Sequence, residues 1–298
     1  MKFGLDIGAT SAKLGLVDDD GKILTRSRIM IKDYPDIDSF VVKVSELALE
    51  MLDGRAVQDV EGIGVGCPNG NYYTGCVENA VNLPWKGTIE LSKMMEEHMG
   101  MKCAITNDAN AAALGEMKYG AARGMKNFIE LTLGTGVGGG VVVNGELVYG
   151  SDGFAGELGH IIVEPNGRMC GCGRKGCLEA YCSATGVARS YEELCPQEKV
   201  TSKDVFERAM AGDEIAKKVF SYTGEMLGKA IANLIAVTAP EAVILFGGLT
   251  AAGDLLMEPV RQSVETNVLR IWSGEKVRIL TSGLKSDDAA ILGAAAIV

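Results

Sequence analysis

Apolar runs and polar breaks alternate from the first residues of the chain. Residues 3–7 (FGLDI) and 12–17 (AKLGLV) are short apolar runs separated by Gly8-Ala9-Thr10. A second break, Asp19-Asp20-Gly21, leads into 22–29, rich in Ile, Leu and Thr. Short runs of this kind, bounded by Gly and Asp, predict strands joined by tight turns. The same order returns later. Residues 128–133 (FIELTL) run into Gly134-Thr135-Gly136, then 137–143 (VGGGVVV), Asn144-Gly145 and 146–149 (ELVY). Strand, glycine turn, strand, polar-Gly turn, strand therefore occurs twice, which predicts a duplicated α/β domain.

Helical periodicity appears between the repeats at Phe40, Val41, Val44, Leu47, Ala48 and Met51. Residues 62–66 and 102–106 read as short buried strands, the second leading through Asn107 and Asp108 into an Ala-rich helix. Later segments predict a helix over about 224–237, a strand over 242–246 and a turn at Gly247-Gly248. A helix is also expected to begin near Leu178.

Gly134, Gly136 and Gly139 form a G-x-G-x-x-G pattern. A dinucleotide fingerprint requires a helix to start within those glycines. Here Val141, Val142 and Val143 precede Asn144-Gly145, so the context is a hairpin. Hairpin tips expose backbone N–H groups that can cradle an anion, and two such hairpins facing each other could clamp a nucleotide phosphate.

Composition narrows the partners. With 298 residues, 47% of them hydrophobic, the chain can build two packed domains. Its formal net charge of −10 argues against a nucleic-acid surface. The apolar runs are too short for a membrane span, and the first residues lack a secretory h-region, so a cytoplasmic location is expected.

Of eight cysteines, Cys170, Cys172 and Cys177 are clustered. A tetrahedral zinc site needs a fourth ligand, for which His160 is the nearest candidate. Cys182 is a competitor, expected instead to be buried as a small apolar side chain, and His98 reads as a solvated helix end. A closed set of four protein ligands predicts structural zinc. It would order the loop carrying Glu157, His160 and Glu179, and His160 could offer its second nitrogen to a substrate hydroxyl. The glycine hairpins lie elsewhere in the chain and are expected not to depend on the metal.

The motifs LDIGAT, NDANAAALGE, LGTGVGGG, GELGH, CGCGRKGCLE and DDAAILGAAA, in this order, resemble the ROK family (repressors, uncharacterised reading frames and sugar kinases) of the actin/hexokinase/heat-shock ATPase superfamily. The resemblance covers essentially the whole chain. It implies an α/β, two-domain actin-like ATPase (ribonuclease H-like) fold with a duplicated β-hairpin/α/β core and an interdomain cleft. The small domain would span 1–117, joined by a C-terminal helix at about 286–298. The large domain would span 118–285 and carry the zinc-binding insertion.

By motif, the resemblance makes Asp108 the catalytic base. Asn69, Asn79, Asn107, Glu157, His160 and Glu179 would lie with Asp108 on the sugar side. Asp6 would position Mg²⁺. Gly8, Thr10, Gly134, Thr135 and Gly136 would face the ATP phosphates, and Gly247 and Gly248 the adenosine. His160, Cys170, Cys172 and Cys177 match the zinc ligands. Two departures stand out: Ala9 and Ser11 replace the usual Gly and Lys of the first loop, and Asn69 is inserted between Pro68 and Gly70.

The activity so implied is an ATP-dependent hexose kinase acting on the 6-hydroxyl of glucose, in a homodimer. An N-acetylhexosamine kinase (N-acetylglucosamine or N-acetylmannosamine) is the nearest alternative, and a sugar-sensing regulator another. The regulator reading requires a DNA-binding helix-turn-helix ahead of Asp6, for which the sequence leaves no room. Asp108, at a helix start, is expected to stay ionised because the helix dipole favours an anion.

Overall fold

A computed structural model describes the backbone of residues 1–298 and all side chains except those of Ser286 and Asp287. The chain divides into two compact units, one of Met1–Gly124, Leu147–Ala155 and Gly283–Val298, the other of Met125–Glu146 and Gly156–Ser282.

In the first unit, β1 (Lys2–Ile7), β2 (Ser11–Val17) and β3 (Ile23–Met30) form an antiparallel meander. Helix α1 (Ile37–Met51) follows, capped by the Asp36 side chain, which accepts from the Ser39 N–H. Next come β4 (Ile63–Gly66), then β5 (Gly70–Asn71), β6 (Cys76–Glu78) and β7 (Thr88–Ile89), which make a small separate sheet. Helix α2 (Leu91–Met99), β8 (Cys103–Thr106) and α3 (Asp108–Tyr119) complete this part. The main sheet has the order β3-β2-β1-β4-β8, with β4 parallel to both β1 and β8.

Alternation along β1 decides what each face meets. Phe3, Leu5 and Ile7 enter a core with Phe40, Val41 and Val44 of α1. Gly4 points the other way, where a Cβ would overlap the Ile291 carbonyl oxygen. Gly64 of β4 is in the same position against Ala294. Bare backbone at these two sites lets α9 (Ser286–Ala295) lie directly on the sheet. The end of the chain thus returns to the first unit.

The second unit repeats the plan. Strands β9 (Phe128–Leu133), β10 (Val137–Val143), β11 (Glu146–Leu147), β12 (Ala242–Phe246) and β13 (Arg278–Thr281) take the order β11-β10-β9-β12-β13. β10 is antiparallel to β9, and β12 is parallel to β9 and β13. The order within each sheet is the same, so the repeat read in the turns is a repeat of architecture. Helices α4 (Glu179–Cys182), α5 (Ala184–Leu194), α6 (Ser202–Met210), α7 (Glu214–Thr238) and α8 (Asp254–Asn267) belong to this unit. Ile129, Leu131 and Val243 meet Phe220, Leu227 and Ile231 of α7 in its core.

Two sequence expectations change. The long helix starts at Glu214, ten residues before the segment read from periodicity, because Asp213 caps it by accepting from the Ile215 and Ala216 N–H groups. The strand expected over 146–149 ends at Leu147. Tyr149 instead stacks on Tyr72 in the first unit, with ring centroids 4.2 Å apart and planes 8° from parallel. Among the described residues no helix is long and apolar enough to cross a membrane.

Candidate active site and metal centre

In the first unit, Asp6 lies near the end of β1, level with Gly66 of β4, which is level with Thr106 of β8. The chain leaves β8 and starts α3 at Asp108. The carboxyl ends of parallel strands are where ligands collect in open α/β sheets. Asn107 caps α3: its side-chain oxygen accepts from the Ala109 N–H at 2.8 Å, and Asp108 Oδ1 shares that donor at 2.9 Å.

Burial raises the Asp108 pKa above the ordinary carboxylate value, against the hydrogen bond from Ala109. This shift opposes the helix N-terminus, whose N–H groups favour the anion. Asp6 is pushed up to about 6, first by burial, then by the charge of Asp108, with Lys13 opposing. Two carboxyls that disfavour each other's charge are an arrangement that a cation or a substrate proton relieves.

Gly8 and Thr10 form the turn between β1 and β2: the Gly8 N–H donates to the Ser11 carbonyl, and Thr10 accepts from the Ile31 N–H. Asn69 and Asn79 both have left-handed backbone, with φ of 54° and 52°. The Asn69 amide nitrogen donates to the Glu78 carbonyl at 2.8 Å, so this inserted residue closes a turn around the small sheet.

In the second unit, Gly134, Thr135 and Gly136 make the β9–β10 turn, with the Gly134 N–H donating to the Gly136 carbonyl at 3.0 Å. Gly247 and Gly248 follow β12, whose Phe246 is level with Thr132 of β9. Both glycine pairs thus sit at the carboxyl ends of neighbouring parallel strands. Between them lies a cavity of about 520 Å³ lined by Leu133, Gly134, Thr135, Ala184, Ser202, Lys203, Phe206, Phe220, Gly248, Leu249, Ala251 and Ala252. Its volume and largely apolar wall suit a nucleoside. Sequence reading missed Lys203 and Phe206, which lie about seventy residues beyond the turn in a helix with no motif.

Gly136 does not adopt a positive φ, so its lack of a side chain has another reason. A Cβ there would overlap Glu179 Oε2, and that oxygen accepts from the Val137 N–H at 3.1 Å. Gly136→Val should push the Glu179 carboxylate off the turn and raise the KM for ATP about ten-fold, the scale of a displaced positioning contact. An unchanged ATP KM in steady-state kinetics would make this loop an ordinary turn.

His160, Cys170, Cys172 and Cys177 converge, one potential ligand atom from each lying within 4.8 Å of all the others. His160 Nδ1 is 3.8 Å from Cys170 Sγ, and Cys172 and Cys177 sulfurs are 3.6 Å apart. Three thiols and an imidazole closing on one point are the donor set of a tetrahedral zinc site. Burial pushes the Cys170 thiol up to about 12, whereas the Arg174 backbone N–H holds Cys172 below its ordinary value. Metal binding would thus release protons. The other edge of His160, Nε2, lies 3.8 Å from Glu157 Oε2. Cys182 is buried elsewhere and donates to the Thr223 carbonyl, and His98 is exposed in the last turn of α2.

Glu179 links the hairpin and the metal loop, which lie apart in sequence. While one of its oxygens holds the Val137 N–H, the other accepts from the Cys170 thiol at 3.3 Å. One side chain touches the glycine turn and the cysteine cluster.

A sheet plan used twice, each copy presenting a glycine hairpin beside the ends of its parallel strands, defines the actin-like ATPase fold. A family model described as ROK family matches residues 2–298, and the chain belongs to that family. The glucokinase of Thermotoga maritima is 37% identical over 313 residues, covering 99% of this chain and 96% of that protein. The glucokinase of Halalkalibacterium halodurans is 38% identical, covering 97% and 92%. A crystal structure of a ROK family glucokinase from Streptomyces griseus with glucose and AMPPNP is 30% identical, with a TM-score of 0.80 over 99% of this chain and 97% of that one.

Proposed function

We propose that this protein is an ATP-dependent glucose kinase that transfers the γ-phosphate of ATP to the sugar 6-hydroxyl. The observation that carries the reading is Asp108, a solvent-accessible carboxyl at the first position of α3, beside the Asn107 cap, whose pKa is raised by the protein packed around it. Phosphoryl transfer needs an aligned hydroxyl, charge neutralisation and donors around the phosphate more than covalent help. Asp108 orients the hydroxyl and takes its proton as the new O–P bond forms and the bond to the β-phosphate oxygen breaks.

Asn107, Glu157, His160 and Glu179 hold the other hydroxyls. Asn107 spends its oxygen on the helix cap and keeps its amide protons for a sugar oxygen. Asn69 and Asn79 shape the sugar-side turns. Gly8, Thr10, Gly134, Thr135 and Gly136 present backbone and hydroxyl donors to phosphate. The cavity beside Gly247 and Gly248 takes the adenosine. Mg²⁺, held through Asp6, would neutralise phosphate charge. His160, Cys170, Cys172 and Cys177 would hold a zinc ion that orders the loop. Residues 1–117 with 286–298 serve as the smaller functional domain and 118–285 as the larger. The reading places the protein in the cytoplasm as a homodimer, without nucleic-acid or membrane partners.

Glucose is expected to give the highest kcat/KM among glucose, mannose, fructose, N-acetylglucosamine and N-acetylmannosamine in a coupled ADP-release assay. The relatives at 37% and 38% identity support that order. A preference for either N-acetylated sugar would move the protein to the alternative kinase class and leave the mechanism standing. Sugar binding without turnover of any of them would return the regulator reading.

A further inference from the structure

We propose that Glu179 is a positioning residue through which the metal cluster sets the shape of the nucleotide-phosphate turn, so that zinc and nucleotide bind cooperatively. The proposal rests on the reading above, in which Gly134–Gly136 face phosphate and the cysteines hold zinc.

Three features of the second unit carry it. Glu179 is two residues beyond Cys177, at the first turn of α4, so the position of its backbone is tied to the cluster. Its Oε2 is hydrogen-bonded to the Val137 N–H at 3.1 Å, immediately after the turn, while Gly136 has no side chain to keep it away. The same stretch meets the turn twice more: the Ala184 N–H donates to the Gly134 carbonyl at 2.8 Å, and the Thr185 hydroxyl to the Thr135 carbonyl at 3.3 Å.

The glycine turn therefore leans on a segment of chain that begins at a metal ligand. Glycines give such a turn little stiffness of its own, so its geometry is set by what buttresses it. A metal that fixes Cys177 fixes Leu178 and Glu179 behind it. Without metal, the loop explores other conformations, and nucleotide binding must then bear the cost of ordering it.

Coupling of this kind is reciprocal. The test is binding in the absence of sugar, with Mg-ADP and Zn²⁺ as the probes, on the full chain. In the wild type, removing zinc with a chelator, or by Cys172→Ser if chelation unfolds the protein, should weaken ADP binding about ten-fold, within the usual range of coupling. Saturating ADP should tighten zinc by the same factor in competition with a chromophoric chelator.

In Glu179→Ala, which keeps all four ligands, ADP should bind as weakly as to the zinc-free wild type, and zinc should no longer change it. Glu179→Gln, which retains an acceptor for Val137, should restore part of the difference. Equal ADP affinity with and without zinc in the wild type overturns the proposal, as does coupling that survives in Glu179→Ala. A wild type that takes up no zinc, or binds no ADP, defeats the underlying site assignment instead, and either is evident before any variant is made.

Discussion

Asp108→Asn is expected to fold normally, to bind glucose and ATP nearly as the wild type does, and to lose on the order of hundreds-fold or more in kcat, the scale of a general base. Asparagine keeps the side-chain oxygen that accepts from the Ala109 N–H, so the first turn of α3 survives. What it cannot do is accept the proton of the sugar hydroxyl. The pH profile supplies a second reading. The carboxylate is the working form, and burial raises its pKa, so wild-type kcat/KM should fall with acid at a pH above the ordinary carboxylate range. That limb should vanish from the residual activity of the variant. Near wild-type turnover would remove Asp108 from the chemistry.

Much of this architecture could be read from local residues. The turns Gly8-Ala9-Thr10 and Gly134-Thr135-Gly136 announce themselves by composition, and the strands around them by their apolar runs. The duplication is legible in those turns together with the strands around them, and the shared sheet order appears in the fold. Individual boundaries were lost where a distant partner decided them. Tyr149 looks like the end of a strand until Tyr72, far away in sequence, offers a ring to stack on. The cysteine cluster was legible because its spacing is local, and His160 because histidine is scarce in this chain.

Protonation and linkage were not legible. The ionisation of Asp108 depends on how much protein covers it, and a helix start says nothing of that. The reason for Gly136 is the carboxylate of Glu179, forty-three residues away, and no periodicity in either segment announces the meeting. The nucleoside cavity draws on α6, whose Lys203 and Phe206 look like any surface helix in sequence. Charge and packing between distant segments are properties of the folded chain, whereas turns and ligand spacing are properties of short stretches.

Asp6→Asn is expected to gain stability as it loses activity. Asp6 is raised from an ordinary value of 3.8 to about 6, chiefly by burial. An acid whose folded pKa is raised binds its proton more tightly in the folded state. The folded state is therefore favoured below the unfolded pKa, and that advantage is lost as the pH rises through the folded one. From 3.8 to about 6 the Asp6 contribution declines, and above about 6 the full cost of the buried charge is present. Removing the charge should raise the unfolding free energy at pH 7 to 8 by roughly 1–2 kcal/mol, after discounting for partial exposure. The gain should shrink to nothing at pH values below 3.8, where both proteins are neutral at this position. Chemical denaturation across this range measures it directly. Activity should move the other way, with kcat falling about a hundred-fold or more, as for the loss of other fixed charges at a transferring phosphoryl group. Mg-ATP should also stabilise the wild type more than the variant, because only the carboxylate gains from a nearby cation. A variant less stable than the wild type at pH 8 would show that Asp6 is not strained. Retained turnover would show that its charge does not serve the reaction.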